Sequence, residues 1–400
     1  MRKMKKILLL GGSAQQIIAV ETAKRLGYFT VLCDYLSDNP GQYVADKFYL
    51  VSTTDKNAVL EVAEKENIDG ILAYASDPAA PTAAYVAEKM GLPTNPYPSV
   101  EVLCNKDQFR SFLRNNGFNA PVAKGYRDKK IDVEEYTLPI IVKPVDSSGS
   151  KGATVLYSWE GLDAALDFAF SFSRSHKIII EEYIEKKHEY LIGGDIFVID
   201  GKIVLWGLLN CHRDNSVNPL VPVGKSYPLF IDELDKKSVE ETLQRLVDAL
   251  QLKFGSVNVE LVIDKSGQVW PIDIGPRAGG NMIPDLLGMI FNVNVVEMAV
   301  LSAMGKPIVT KVGETSSYYA SHNLHTNKKG IYKNIIFSDK IEEKIVKKFL
   351  YKVAGEKVEY FDNAAKALGI IIMKFDNQSE MYEMLNHINE YYEVEVEEEL

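Results

Sequence analysis

The chain has 400 residues, 46% of them hydrophobic and 25% charged, the balance of a globular protein long enough for more than one domain. Its formal net charge of -10 argues against a general affinity for nucleic acid or anionic membrane surfaces, which needs a surplus of Lys and Arg. Three separated cysteines, Cys33, Cys104 and Cys211, form neither a CxxC pair nor a disulfide framework, so a cytoplasmic location is expected.

The basic start to Lys6 leads into Ile7-Leu8-Leu9-Leu10, which Gly11-Gly12-Ser13 cuts off too soon for a signal peptide, and the run reads as a first strand. No later segment approaches the ~20 apolar residues of a spanning helix, so no membrane partner is expected. A helix over Ala14 to Leu26, a strand over Thr30 to Cys33, a helix over Ala58 to Asn67, a strand over Gly70 to Ala73 and a helix over Thr82 to Met90 follow. This βαβ rhythm predicts a parallel sheet. Gly11-Gly12 would let a helix N-terminus approach an anion, or serve only as a strand-to-helix turn, because Gly-Gly-Ser-Ala-Gln-Gln is not GxGxxG. Asp34 ends the second strand, where a ribose-binding acid sometimes stands.

Prolines 93, 96 and 98 mark a boundary, after which one helix is expected over Ser99 to Asn116. Beyond Pro139 the pattern becomes α+β, with hairpin turns at Asp200-Gly201 and Ser266-Gly267 and helices over Leu162 to Phe172 and Asp235 to Leu252. The tail carries strands over Gly369 to Met373 and Tyr392 to Val396 around a helical stretch, Ser379 to Glu390.

Three segments carry chemistry. The apolar strand Ile140 to Val142 delivers Lys143 into a small-residue loop of Ser147, Ser148, Gly149, Ser150 and Gly152. Such a lysine pairs with phosphate oxygens while the loop N–H groups close over them; the alternative is a flexible surface turn with a snorkelling lysine. Strand Lys177 to Ile180 ends in Glu181, Glu182, Tyr183 and Ile184, followed by Glu189. This is a possible hinge whose backbone reads an adenine edge and whose Glu189 takes ribose hydroxyls, or a hairpin with a charged tip. Strands Val257 to Ile263 and Gln268 to Ile274 place Glu260 and Asp273 on one inward face, where carboxylates need a cation, as Mg²⁺ facing phosphates would be. Arg277 follows, then Gly279-Gly280-Asn281 before a helix, a pattern suited to a substrate anion; a structural salt bridge is the alternative. His212 and Arg213, with Asn218 to Lys225, are placed on a loop after a strand ending at Asn210, where they would line a substrate pocket or serve as loop polarity.

In order and spacing these segments closely resemble the ATP-grasp superfamily, in the branch of biotin carboxylase, carbamoyl-phosphate synthetase and glycinamide ribonucleotide synthetase, over nearly the whole chain. The resemblance implies a Rossmann-like domain over 1–98, an ATP-grasp core of two α+β lobes over 99–325 with about 121–190 as the smaller lobe, and a small C-terminal α+β subdomain over 326–400. It implies Lys106, in Asn105-Lys106-Asp107-Gln108-Phe109, and Lys143 as phosphate lysines. Glu181 to Ile184 become the adenine hinge, Glu189 the ribose acid, Glu260 and Asp273 the ligands of Mg²⁺ (or Mn²⁺), and Arg277 the arginine of the family's Asn-Pro-Arg motif. Gly275 stands where that motif has its asparagine, and no "GREHA" pattern follows the glycine-rich start. The expected activity is ATP-dependent joining of a small-molecule carboxylate to an amine through an acyl phosphate, with Lys143 and Arg277 catalytic and Arg213, Gly279, Gly280 and Asn281 at the substrate. The alternatives are a purine-pathway ligase of the phosphoribosylamine-glycine type, a bicarbonate-using ligase, or an ATP-binding regulatory module, for which Gly275 is the motive. The resemblance also implies a homodimer.

Overall fold

The computed structural model describes residues 4–147, 149–214, 218–309, 311–313 and 315–397. Elements β1 (Lys6–Leu10), α1 (Ile17–Arg25), β2 (Phe29–Asp34), β3 (Lys47–Leu50), α2 (Lys56–Glu66), β4 (Gly70–Leu72) and α3 (Ala80–Met90) form a parallel sheet in the order β3-β2-β1-β4. β1 reads as an unbroken apolar run because both faces are covered. Leu8 and Leu10 pack toward α2 and α3, whereas Ile7 and Leu9 pack against α1 and a helix that arrives much later in the chain, Val295–Ala303. That late helix fastens the first unit to the rest.

The expected helix over 99–116 is two helices, α4 (Tyr97–Leu103) and α5 (Lys106–Asn115). Asn105 interrupts it: its backbone is extended, and its side-chain oxygen accepts the Gln108 N–H at 3.2 Å, an N-cap in place of a helical turn. The break makes Lys106 the first residue of a new helix. Strands β5 (Ala123–Tyr126), β6 (Ile140–Pro144), β7 (Thr154–Leu156) and β8 (Ile178–Glu182), with α6 (Leu162–Phe172), then build a small antiparallel sheet ordered β5-β8-β6-β7.

Next come β9 (Leu191–Ile199), β10 (Lys202–Asp214), β11 (Asn218–Tyr227), α7 (Glu233–Ala249), β12 (Phe254–Ile263), β13 (Val269–Gly275), α8 (Ile283–Phe291) and α9 (Val295–Ala303). β9 and β10 meet at Asp200-Gly201, both with positive φ, the left-handed pair a two-residue hairpin favours. His212 and Arg213 do not lie on a loop. β10 runs on to Asp214 and pairs with β11, so His212 sits opposite Gly224 and Arg213 opposite Pro222. The strand is hidden in the sequence by Pro222 and Gly224, and register shifts on either side of Arg213 interrupt the usual alternation, so that neighbouring side chains reach one face.

The tail adds β14 (Tyr318–Leu324), β15 (Gly330–Phe337), α10 (Asp339–Glu342), β16 (Ile345–Leu350), β17 (Lys357–Val358), β18 (Gly369–Phe375), α11 (Gln378–Asn386) and β19 (Tyr392–Glu397). β14, β18 and β16 extend the large sheet to eight strands, ordered β13-β12-β9-β10-β11-β14-β18-β16, and β17-β15-β19 form a separate three-stranded sheet. The tail's core is apolar, from Ile371, Met373 and Phe375 to Met381 and Ile388. The helix expected over 379–390 is α11 followed by a single 3₁₀ turn at Ile388–Glu390. α5 and α7 cover one face of the large sheet; α8 and α9 cover part of the other. No single helix among the described residues is long and apolar enough to cross a membrane.

Asn105→Ala removes the α5 cap and is expected to lower stability by about 1 kcal/mol. Asn105→Asp should restore most of it, as read from the urea midpoint.

Candidate active site

A cleft of about 880 Å³ lies between the small sheet and the large one. That is the size of a pocket for a sizeable small molecule. Lys106, Lys143, Ser147, Gly149, Ser150, Glu181, Glu182, Tyr183, Ile184, Glu189, Arg213, Glu260 and Asp273 all line it. Gly152 is just outside, and Ser148 lies outside the described residues.

At its base, Lys143 on β6 and Glu181 on β8 form an ion pair. The strands are antiparallel with Lys143 opposite Ile179 and Ile141 opposite Glu181, so the two charged residues are diagonal neighbours on one face. Arg110, one turn along α5 from Lys106, grips the same carboxylate through Nε at 2.9 Å and Nη2 at 3.2 Å, and donates from Nη2 to the Ile272 carbonyl at 2.7 Å. Arg110 is fully buried and Glu181 is 2% exposed. Burial alone would push the Glu181 carboxyl up, but Arg110 and Lys143 together hold it down at about 2. Lys143 is shifted below the usual lysine range, first by burial and then by Arg110 and Lys106, against the pull of Glu181. One carboxylate shared by two cations leaves the lysine short of counter-charge, a condition that nucleotide phosphates would relieve.

Lys106 Nζ donates to the Ser147 carbonyl at 2.9 Å and stands 3.4 Å from Asp273. The loop it touches has Gly149, Ser150 and Gly152 at positive φ, and Ser150 Oγ donates to the Leu220 carbonyl of β11 at 2.8 Å, pinning the loop over the large sheet. Across the β12–β13 pair Glu260 is directly opposite Asp273. Burial raises the Asp273 carboxyl, and Lys106 and Lys143 more than reverse it, so it stays below its ordinary value. Two facing carboxylates beside two lysines suit a hard dication shared with phosphate oxygens. Arg213 approaches Glu260 at 3.5 Å. At the hinge, the N–H groups of Glu182 and Tyr183 are taken by the Val122 and Pro139 carbonyls, so Ile184 offers the available donor. The Glu181 side chain faces inward to Lys143 and Arg110, not outward to a base.

Arg277, Gly279, Gly280 and Asn281 do not line this cleft. Arg277 is held by both oxygens of Asp77, which follows β4 of the first unit, with Nε to Oδ1 at 2.8 Å. The Gly279 N–H donates to the buried Asp195 at 2.7 Å, and the Asn281 N–H to the Gln15 side chain at 2.7 Å. Gly275 leaves room for this arrangement, since a Cβ there would stand 2.6 Å from Asp77 Oδ1 and would push against the ion pair. Asp34 also has a structural partner: it accepts the Gly12 N–H at 2.7 Å and fills the first strand-to-helix turn.

Arg110 and Asp77 were not legible as site residues. Arg110 has a signal in hindsight, an arginine between Phe109 and Leu113 on the buried side of an otherwise polar helix. Asp77 stands at the C-terminal end of a parallel strand, where α/β sites gather.

Two α+β lobes closing on a cleft with paired lysines and facing carboxylates define a nucleotide-clasping ligase fold. Residues 103–281 match the ATP-grasp domain family. Formate-dependent phosphoribosylglycinamide formyltransferase of Prochlorococcus marinus strain NATL2A is 27% identical over 312 residues, covering 76% of this chain and 78% of that protein. The carbamoyl phosphate synthase large chain of Pseudothermotoga lettingae is 25% identical over 335 residues, 76% of this chain but 29% of its own length. Among solved structures, L-amino acid ligase from Bacillus licheniformis superposes with a TM-score of 0.81 at 18% identity, covering 99% of this chain and 100% of that one. Phosphoribosylglycinamide synthetase from Anaerococcus prevotii gives 0.77 at 20% identity, with the same coverage. Residues 103–281 thus match an ATP-grasp domain, and the chain is similar to ATP-grasp enzymes over most of its length.

Glu181→Gln strands two buried cations and is expected to cost about 3–5 kcal/mol near neutral pH. A carboxyl lowered on folding adds stability above its unfolded value of about 4.3 and loses it as pH falls toward its folded value. The acid limb of the urea midpoint between those values should therefore be flatter in the variant than in the parent protein.

Proposed function

We propose that this protein joins a carboxylic acid to an amine at the expense of ATP, by way of an acyl phosphate. The observation that carries this reading is the cross-strand pair Glu260 and Asp273 facing Lys106 and Lys143 at one end of a single cleft. ATP lies with its adenine against the Tyr183–Ile184 hinge, its ribose toward Glu189, and its phosphates between the two lysines under the Gly149–Gly152 loop. Glu260 and Asp273 hold Mg²⁺ or Mn²⁺, which when bound neutralises phosphate charge.

The substrate carboxylate attacks the γ-phosphorus in line, and ADP leaves. The amine then attacks the acyl carbon, the carbon–oxygen bond to phosphate breaks, and phosphate departs as the nitrogen loses its proton. No side-chain nucleophile is needed. The chain's part is to position the reactants and balance the charge on the moving phosphoryl group. Arg277, bound by Asp77 at the junction with the first domain, takes no direct part in these steps. Gly275, the motive for a non-catalytic reading, is accounted for by the space Asp77 requires. The relatives named for formate-dependent transfer onto a phosphoribosyl amide favour a second reading, a purine-pathway ligase using the same steps.

Lys143→Ala and Glu260→Gln are each expected to lower metal-dependent ADP release by about 10²- to 10³-fold with the folded state retained. Release that does not depend on these residues, or tight ATP binding with no release for any acid and amine, would sink the proposal. Nucleotide affinity should also fall as pH rises through the lowered Lys143 value, because phosphate contact favours the charged lysine. Calorimetry in buffers of different protonation enthalpy would register the proton uptake.

A further inference from the structure

Beyond the phosphate end, the cleft continues over the middle of the large sheet. There β10, β11 and β14 lie side by side, with His212 opposite Gly224 and Gly224 opposite His322. These three positions form one row across the sheet and share a face. Gly224 lines the cleft without a side chain, so the floor dips to bare backbone between two imidazoles, and a Cβ there would stand 2.4 Å from the Ser321 carbonyl. Tyr190, whose ring lies 4.5 Å from that of His212, Leu220, and Leu385 and Ile388 of the tail also line the cleft.

The charge pattern of the two halves differs. The cationic side chains of the cleft, Lys106, Lys143, Lys151, Lys186 and Arg213, come from the nucleotide side or its border. Among the described lining residues contributed after Arg213 there is no Lys or Arg, and the sequence contains no arginine after Arg277. Both imidazoles of the floor are neutral near pH 7: burial pushes His212 down to about 3 and His322 well below the ordinary histidine range. The remaining charges at this end, Asp214 and Glu390, are negative. Lys225 acts on His212 from within the sheet, but its Nζ is set against Cys211 Sγ and it does not line the cleft, so a phosphate monoester bound beyond Arg213 would touch no lysine or arginine and would be costly to desolvate. An apolar or aromatic group would find matching walls, and an ammonium would find carboxylates.

Arg213 stands at the border of the halves. Its bonds are long, 3.3 Å to the His212 carbonyl and 3.5 Å to Glu260, whereas Arg277 is gripped by both oxygens of Asp77. A guanidinium so loosely held, next to the site of phosphoryl transfer, is suited to take a carboxylate in its planar fork.

On these grounds, and resting on the ligase reading above, we infer that the second half of the cleft binds an unphosphorylated amino acid with an apolar or aromatic side chain. Its carboxylate faces Arg213, and its side chain lies over the Gly224 dip against Leu220, Leu385 and Ile388. Arg213 is then a substrate-binding residue and Leu385 and Ile388 determine specificity.

The test measures ADP release with Mg-ATP for two sets of substrates: apolar, aromatic and acidic amino acids paired with one another, and phosphoribosylamine or phosphoribosylglycinamide paired with glycine or formate. Calorimetric binding of each compound in the presence of Mg-ADP is measured alongside. Release and binding with apolar or aromatic amino acids only, a KM for them raised at least about 10-fold in Leu385→Asp and Arg213→Gln, and an unchanged KM for ATP in Leu385→Asp would support the inference. Ile388→Ala, a milder change, should shift preference toward larger side chains, which covers the case in which Leu385→Asp does not fold. Release only with the phosphoribosyl compounds would overturn this inference and leave the ligase reading standing. No release and no Mg-ADP-dependent binding with any compound would overturn both.

Discussion

One buried carboxylate holds the nucleotide end together. Glu181 is shared by Lys143 on the small sheet and Arg110 on α5, and Arg110 in turn reaches the Ile272 carbonyl, next to Asp273 on the large sheet. Two lobes and the connecting helix thus meet at a single anion. In a dry environment such a cluster is costly to assemble and more costly to break, so it contributes less to net stability than to fixing one arrangement. It sets Lys143 beside Lys106 and both near Asp273 and Glu260, so on the proposed function two lysines are already in place to receive phosphate.

A second tie joins the first domain to the core. Asp77 reaches from the end of β4 to Arg277, and Gly275 leaves the space this requires. Val296 and Val300 of α9 fill the sheet face under Ile7 and Leu9, so the polar tie sits above an apolar seam. The seam resists separation by burial, whereas the bidentate ion pair resists sliding because its geometry is directional. Gln15 and Asp195, holding the amides of Asn281 and Gly279, extend the same junction. Residues that looked like a free anion site by sequence are therefore occupied from within the chain.

What the sequence made legible was local. The β1 run, the Asp200-Gly201 hairpin and α6 follow from apolar periodicity and turn chemistry acting over a few residues, and these elements lie where such signals put them. The hairpin of Glu260 and Asp273 was readable from its short turn, but the turn's register alone would set Glu260 opposite Ile272, and a register shift between Glu260 and Leu261 brings Asp273 into place. The break at Asn105 was missed because helix periodicity continues across it on both sides, and only the cap bond to Gln108 reveals the stop. The strand carrying His212 and Arg213 was missed because Pro222 and Gly224 in its partner read as loop. Arg110 and Asp77 act over 71 and 200 residues of separation respectively, and no local pattern encodes such distances.

The contrast between the halves of the cleft follows from the sheet itself. β12 and β13 lie at one edge and receive Lys106 and Lys143 from above, while β10, β11 and β14 lie further across and are covered by the tail. Chemistry common to every ATP-dependent ligation belongs at the first position, because phosphate, metal and lysine must meet with little tolerance. On the inferred amino-acid reading selectivity belongs at the second, where Leu385 and Ile388 come from a short helix and a single 3₁₀ turn, apart from Glu181 and its cations. A fold divided in this way can keep its phosphoryl-transfer apparatus fixed while the walls over the Gly224 dip are remade for different acids. The same division explains why resemblance in the nucleotide half carries the class of reaction and leaves the identity of the acid to the other half.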